Sequence, residues 1–241
     1  MIYGDYHVHS TYSRDAKNSV AEQVQSAIDK GLKQVAITDH ASCHTYGMSE
    51  AAMRSQISEV ERVARSSKIS VLKGVEANLV NQMGKIDVPK KYQEYLDIMV
   101  LGCHKSCRGG LFARMKHTKM FLATKNNIDK NTDAYIKALQ ENKINIVAHP
   151  NYAVPIDCVR LAKYCKEHNI YFELNGRKHC MDDATFRAVI DTGVMFILDS
   201  DAHNSVDVGN VRNGLTVMEK YNIPEAQIAN LNKLPIFNKR I

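Results

Sequence analysis

The sequence predicts an α/β protein in which seven parallel strands alternate with helices, and three observations predict this class. Short apolar segments rich in Val and Ile recur seven times along the chain. Segments with helical spacing separate most of them, which favours parallel strands joined by crossover helices. The apolar segments also lack polar alternation, as expected for a sheet that helices cover on both faces. No linker-like stretch rich in Pro, Ser or Gly interrupts residues 1–241, so we expect one domain.

The predicted strands follow these apolar segments in chain order. The first leads into Asp5-Tyr6-His7-Val8-His9, directly after Met1-Ile2-Tyr3. The other six are 34–37, 69–74, 96–101, 144–147, 170–174 and 194–198. A hairpin is expected at 84–88, between the third strand and a short helical turn that Pro89 opens.

The predicted helices lie between these strands. In the first, Val20, Val24 and Ala27 share one stripe, and Gly31 is placed to end the helix at its C′ position. The remaining helices are 49–66, 132–141, 155–168, 182–192 and 207–221. We expect Thr132 and Asp133 to open the helix that ends at 141.

Ionisable side chains stand where the first strand ends. His7 and His9 point to the same side because side chains alternate along a strand, and Asp5 lies behind them. Two converging imidazoles gain little by packing, whereas they suit a metal ion. In that reading Asp5 is the candidate acceptor for one ring N–H. Two partly exposed histidines on a terminal strand are the alternative.

The same pattern recurs at other strand ends. In an α/β barrel the C-terminal ends of the strands converge on one face, where active sites lie. The side chains at or just beyond these ends are His7, His9, Asp39, His40, Glu76, His104, His149, Asp201 and His203. One polar residue at a strand–loop junction is common, but six such ends in seven indicate a multinuclear metal site. The other histidines, His44, His117, His168 and His179, do not share the pattern.

Composition adds broader limits. Hydrophobic residues make up 44% of the chain, and no apolar run approaches the ~20 residues of a membrane-spanning helix. The N-terminus lacks the basic and apolar regions of a secretory signal, so we expect a cytoplasmic protein with no membrane partner. The six cysteines follow no zinc-ribbon spacing and should stay reduced. Cys103 and Cys107 flank His104, but strand alternation turns Cys103 away from the site, so neither is expected to be catalytic.

With these residues assembled, the sequence resembles the PHP family, named for polymerase and histidinol phosphatase. The matching motifs occur in family order along nearly the whole chain. They are Asp-Tyr-His-Val-His (5–9), Ile-Thr-Asp-His (37–40), Gly-Val-Glu-Ala-Asn (74–78), Gly-Cys-His (102–104), Ala-His-Pro (148–150) and Asp-Ser-Asp-Ala-His (199–203). The stand-alone bacterial phosphatase branch is most similar. The resemblance implies a single PHP domain over 1–241, folded as a distorted seven-stranded (β/α)7 TIM-like barrel with its metal site at the C-terminal ends of the strands.

The resemblance also implies ligands for three divalent metal ions. The first ion would take His7, His9, Glu76 and Asp201. Glu76 would bridge to a second ion held also by His104 and His149, and the third would take Asp15, His40 and His203. Position 15 departs from this branch, which has histidine there. An aspartate oxygen is a harder ligand, so it shifts the third site from zinc toward manganese or iron.

The implied function is hydrolysis of a phosphate monoester in a small phosphorylated metabolite, with histidinol phosphate as a family precedent. Glu76, Asp201 and His203 are the candidate catalytic residues, and the ions would supply a bridging hydroxide and neutralise phosphate oxygens. One alternative is a nuclease or phosphodiesterase acting on nucleotides or DNA, and another is a metal-free structural or regulatory domain. Few aromatic residues accompany the basic ones, so we expect no stable nucleic-acid complex. The oligomeric state stays open.

Basic residues concentrate between His104 and Asn131. The segment holds seven Lys and Arg residues and one acidic residue, Asp129, so its net charge is +6. The formal net charge of the whole chain is also +6. The segment leaves the fourth strand beside a ligand candidate and is long for a strand-to-helix connection. It is either a solvated basic loop or a lid. In a lid, Arg108 or Arg114 would bind the phosphate, assisted by Arg177 from the sixth strand end.

Overall fold

The computed structural model describes residues 1–105, 123–177 and 179–237, and within these ranges seven strands form one sheet in chain order. The strands are β1 (Gly4–Val8), β2 (Gln34–Ile37), β3 (Ser70–Asn78), β4 (Ile98–Gly102), β5 (Ile146–Val147), β6 (Tyr171–Asn175) and β7 (Phe196–Asp199). The α-helices are α1 (Val20–Asp29), α2 (Glu50–Ser66), α3 (Lys90–Gln93), α4 (Lys125–Glu141), α5 (Cys158–Glu167), α6 (Asp183–Asp191) and α7 (Arg212–Tyr221). Short 3-10 helices cover Ser205–Asp207 and Glu225–Gln227.

The sheet curls into a nearly closed barrel. Each strand pairs in parallel with the next, which requires the crossover connections that the helices supply. At the C-terminal end of β1, Val8 forms a parallel bridge with Ala202, just beyond β7. The N–H of His9 donates to the carbonyl of Ala202 at 2.8 Å, and the N–H of Ala202 donates to the carbonyl of His7 at 3.2 Å. These contacts confirm the predicted fold class.

The side chains of β4 show how the barrel divides its core. Ile98 and Val100 belong to a small cluster formed mainly by strand residues, whereas Met99 and Leu101 belong to a large cluster that includes helix side chains. Because faces alternate along a strand, the first pair points into the barrel and the second toward the helices. Gly102 continues the inward series at the end of the strand.

Helix α4 begins earlier than predicted. It starts at Lys125 rather than at 132, because the Thr124 side chain accepts the N–H of Asn127 and caps the helix. Thr132 lies inside the helix, where its hydroxyl donates to the carbonyl of Ile128 at 2.7 Å. A threonine that satisfies its hydroxyl within the helix gives the same sequence signal as a capping residue.

Other predicted boundaries also shift. The hairpin expected at 84–88 is reduced to one antiparallel bridge between Leu79 and Ile86. The last long helix begins at Arg212 rather than at 207, after a 3-10 turn. In the part of the chain that the structure describes, no helix has both the length and the apolar character needed to cross a bilayer.

Candidate metal centre

Glu76 lies at the centre of the C-terminal end of the barrel. β3 runs through it rather than ending at 74 as predicted, and its side chain is fully buried. Its Oε1 atom faces three imidazoles: Nε2 of His149 at 2.9 Å, Nε2 of His104 at 3.4 Å and Nε2 of His7 at 3.5 Å. This oxygen therefore lies among donors from β1, the end of β4 and the end of β5.

The second oxygen of Glu76 faces a different set. Its Oε2 atom lies 2.5 Å from Nδ1 of His40 and 3.8 Å from Nε2 of His9. One carboxylate thus has five histidine rings around it, divided between its two oxygens. That is the arrangement expected of a carboxylate that bridges two cations.

Two further carboxylates complete the cluster. Oδ1 of Asp201 lies 3.4 Å from Nε2 of His9. Oδ2 of Asp15 lies 3.5 Å from Nε2 of both His40 and His203, so the polar loop after β1 turns back into the site. The structure therefore brings together all nine residues that the sequence resemblance implied as ligands.

Burial and charge shift the pKa values of this cluster in opposite directions. Burial would raise the pKa of Glu76, but the nearby His104, His40 and His7 hold it well below its usual range. Burial would lower the pKa of His7, yet the surrounding carboxylates raise it well above the ordinary value. For His9, burial and neighbouring imidazoles lower the pKa together. The rings therefore do not all carry a proton, and a neutral imidazole is the form that binds metal ions.

The donor atoms fit metal ions. Among the described residues, Nε2 of His7, Nε2 of His9 and Oε2 of Glu76 are buried without a well-aligned hydrogen-bond partner, although Nδ1 of His40 approaches Oε2 to 2.5 Å. Such atoms are costly unless a ligand satisfies them, and imidazole and carboxylate suit zinc, manganese and iron. Among the described residues, four groups have donor atoms within 4.8 Å of one another: His7, His9 and Glu76; Glu76, His104 and His149; His9, His40 and His203; and His40, His44 and His104.

Two residues of the cluster have left-handed backbone conformations. The φ angle is 54° at Asp201 and 27° at His149. Non-glycine residues pay for this conformation, so it persists only where surrounding contacts enforce it, and such sites are often functional. At His149 the enforcing contact is a 2.7 Å hydrogen bond from its N–H to Oε2 of Glu173.

Glu173 was not among the predicted site residues, yet it orients two of them. Besides holding His149, it accepts the Nδ1–H of His7 through Oε1 at 2.6 Å. In the neutral ring that binds a metal ion, a proton on Nδ1 leaves the lone pair of Nε2 directed toward Glu76, as metal-binding histidines require. The sequence did carry a signal, because a buried glutamate interrupts the apolar strand 170–174.

The role expected for Asp5 was wrong. Glu173, not Asp5, accepts a ring N–H of the first histidine pair. The Asp5 carboxylate instead accepts the N–H of Ser200 at 3.1 Å, its hydroxyl at 2.5 Å and the N–H of Gly209 at 2.7 Å. It therefore fastens β1 to the segment after β7, which carries Asp201.

A cleft of about 190 Å³ leads from the surface to this cluster. Its lining includes five side chains that the sequence did not place there: His44, Tyr46, Lys105, Tyr152 and Asn175. Excluding His44 was wrong, since its ring centroid lies 3.8 Å from that of His40 and 4.7 Å from that of His104. The loop after β2 folds back toward the site because the N–H of Met48 donates to the carbonyl of His40 at 2.9 Å. The spacing of hydrophobic residues in the sequence does not predict this hydrogen bond.

Arg177 also lines this cleft, two residues beyond β6. Its side chain is 53% exposed, and Nη1 lies 3.1 Å from Nδ1 of His203 and 3.7 Å from Oδ1 of Asp201. The same Nδ1 lies 3.0 Å from the carbonyl oxygen of Asp201. It either donates to that carbonyl or accepts from the guanidinium, but not both. Arg108, Arg114 and the body of the expected lid lie outside the described residues.

Cys103 faces away from the cleft, as strand alternation predicts. It packs in the cluster between sheet and helices, and burial raises the pKa of its thiol to about 12. A thiol of this kind is protonated at neutral pH and therefore is not a nucleophile. Cys107 lies outside the described residues.

Comparisons with known proteins agree with this geometry. A family model described as PHP domain matches residues 5–177. A protein of Proteus mirabilis named a probable phosphatase is 30% identical over 238 residues, covering 94% of this chain and 89% of that protein. Another probable phosphatase, from Caldanaerobacter subterraneus subsp. tengcongensis, is 27% identical and covers 94% and 86%.

A solved structure shares the fold. It is a crystal structure of histidinol phosphate phosphatase from Lactococcus lactis, complexed with zinc, L-histidinol and phosphate. The TM-score is 0.59 at 14% sequence identity, with 92% of this chain and 94% of that chain covered. The family match over most of the chain, the 30% identical relative and the clustered motif residues lead to one conclusion: this chain belongs to the PHP domain family, as its sequence motifs predicted.

Proposed function

We propose that the protein is a metal-dependent phosphomonoesterase that hydrolyses a small phosphorylated metabolite. Phosphatase is the enzyme class that family membership and the names of the relatives support. The observation that carries the proposal is the position of Glu76, whose two oxygens face separate groups of imidazoles. The nine clustered side chains would hold three divalent ions in the arrangement that the sequence resemblance implied.

The ions, when bound, would supply a nucleophile from water at neutral pH and neutralise charge on the phosphate. The protein's part is to hold the donors in place. Glu173 fixes the tautomer of His7, and Asp201 carries the strained backbone that turns its carboxylate toward His9. Since these residues need no serine or cysteine nucleophile beside them, the inert thiol of Cys103 is consistent with the proposal.

The cleft favours a small anionic substrate. Arg177 and Lys105 bring positive charge to its lining. Nζ of Lys105 lies 5.7 Å from the centroid of the Tyr152 ring. When Nδ1 of His203 donates to the Asp201 carbonyl, it no longer accepts from the Arg177 guanidinium, which can then donate to a phosphate oxygen while it stays near Asp201. L-histidinol phosphate is one candidate to assay, because the similar Lactococcus lactis structure is described with L-histidinol and phosphate.

One experiment tests the proposal as a whole. The purified protein should be examined by elemental analysis and assayed for phosphate release from a panel of phosphomonoesters and from bis-p-nitrophenyl phosphate. We expect bound zinc, manganese or iron and a clear preference for monoesters. A preference for the diester would favour the nuclease or phosphodiesterase reading, and metal-free protein that cannot be loaded would contradict both.

Asp15→Ala should lose about one metal ion per chain, because it removes the carboxylate that faces His40 and His203. Asp15→His should recover that ion and raise the share of zinc, since nitrogen is the softer ligand. Elemental analysis after loading with equal zinc and manganese measures both effects. The control is Asp29→Ala, at the exposed end of α1. Unchanged stoichiometry in Asp15→Ala would exclude this residue from the site.

Arg177→Ala should raise KM roughly tenfold with little change in metal content, because a charge-assisted hydrogen bond to the substrate is lost. The wild-type KM should also rise with salt, and the variant should lose much of that dependence. The control is Arg160→Ala, which breaks a surface pair with Asp133 on the outer helices. If Arg177→Ala keeps both the KM and the salt dependence of the wild type, the guanidinium does not bind substrate.

A further inference from the structure

Asp87 is a partly buried carboxylate outside the nine clustered residues. It lies in the connection between β3 and α3 and accepts three hydrogen bonds. Oδ1 accepts the N–H of Asn78 at 2.7 Å, while Oδ2 accepts Nδ2–H of Asn78 at 3.1 Å and the N–H of Cys43 at 2.7 Å. Burial raises its pKa to about 6, and the hydrogen bonds from Asn78 and Cys43 work against that rise. Because each oxygen accepts a backbone N–H, which can only donate, Asp87 acts at both oxygens as an acceptor.

This carboxylate decides which way the Asn78 amide points. The NH2 group of Asn78 must face Asp87, because an amide oxygen there would repel the carboxylate and leave it without that donor. The amide oxygen then points the other way, toward His104, whose Nδ1 lies 2.6 Å from Oδ1 of Asn78. An oxygen in that position accepts a hydrogen bond from an Nδ1–H group and cannot donate one.

The direction of these bonds fixes the His104 ring. With a proton on Nδ1, the neutral ring carries its lone pair on Nε2, which lies 3.4 Å from Oε1 of Glu76. The opposite orientation of Asn78 would place the ring proton on Nε2, where it would block metal binding. A residue that touches neither the ring nor the cleft thus determines whether the ring can act as a ligand.

We propose that Asp87 is a positioning residue, which sets the tautomer of His104 through Asn78 and so prepares Nε2 to bind the second metal ion. The inference rests on the ligand role of His104 in the proposed function. The same carboxylate holds the N–H of Cys43, beside His44 in the cleft lining. Asp87 thereby joins the end of β3 to the loop after β2.

The test reverses the hydrogen-bond direction and then restores it. In Asp87→Asn, one orientation of the new amide places NH2 at the former Oδ2, where it opposes the N–H of Cys43 and turns the NH2 of Asn78 toward His104. The other orientation opposes the N–H of Asn78 and weakens the link. The double variant Asn78→Asp/Asp87→Asn restores an acceptor at His104 and a donor behind it. Asp87→Ala, which adds no opposing group, is the variant to use if Asp87→Asn does not fold.

Two readouts are needed, and neither is activity. Imidazole nitrogen shifts from NMR of the metal-free protein should show Nδ1–H on His104 in the wild type and in the double variant, and a changed or mixed tautomer in Asp87→Asn or Asp87→Ala. Zinc affinity at the second site should fall between about 10- and 100-fold in those single variants. It should recover by roughly tenfold or more in the double variant.

His104→Ala separates failure of the inference from failure of the proposed ligand set. If His104→Ala leaves zinc binding unchanged, the ligand assignment itself is wrong. If His104→Ala weakens zinc binding while the Asp87 variants keep the wild-type tautomer and affinity, Asp87 does not position the ring. Failure of the double variant to recover would also overturn the inference, because the link through Asn78 would not be the route.

Discussion

Glu76→Gln is expected to lower kcat on the order of 10³-fold and to reduce the metal content of the purified protein. The substitution keeps the shape of the side chain but removes its negative charge and replaces one oxygen with an NH2 group. That group would face imidazole nitrogens at 2.5 Å or 2.9 Å, depending on which oxygen it replaces. Both groups of donors around Glu76 should therefore bind their ions less tightly.

Elemental analysis and phosphate-release kinetics check this prediction together. The control is Glu61→Gln on α2, where the carboxylate is half-exposed and pairs with Lys73 at 2.8 Å. The control should keep wild-type metal content and rate, since exposed ion pairs contribute little. A Glu76→Gln protein with full metal occupancy and full activity would show that Glu76 does not bridge two ions.

The strand ends could be predicted because one rule places them all. Parallel strands in a barrel end on the same face, so a histidine just after an apolar run points to that face wherever the run lies in the chain. His104 and His149 follow this rule after β4 and β5. Alternation also placed Cys103 on the other side. The fold class and the convergence of the polar residues could therefore be predicted without knowing any interatomic distance.

Residues that act through loops or across the barrel could not be placed in this way. Glu173 and His7 are 166 positions apart, and their contact depends on how far the sheet curls. His44 lies in a loop whose path is set by backbone hydrogen bonds rather than by periodicity. Asp5 did not follow simple alternation, because the register of β1 against β2 shifts between Asp5 and Val8. Asp5 pairs beside Val35, which packs between sheet and helices, and its carboxylate meets Ser200 instead of an imidazole.

Gly102 is a residue whose importance only the structure reveals, and Gly102→Ala is expected to reduce kcat/KM on the order of 100-fold. A Cβ at this position would lie 2.5 Å from Oε1 of Glu76, 2.9 Å from Cε1 of His149 and 3.0 Å from Cε1 of His104. A non-bonded distance of 2.5 Å between the added Cβ and Oε1 is too short, so the Glu76 carboxylate must move. The inward face of β4 therefore ends in glycine because the cluster occupies the space of a side chain.

The variant should lose zinc affinity while keeping its fold, since the collision is confined to the clustered side chains. Thermal unfolding of the metal-free protein provides the control, and its midpoint should stay close to that of metal-free wild type. Glu76→Asp in the Gly102→Ala background is the rescue to try, because the shorter carboxylate withdraws from the added methyl group. Wild-type zinc affinity in Gly102→Ala would mean that the cluster has room to shift, and that the close packing seen at Gly102 does not constrain the metal centre.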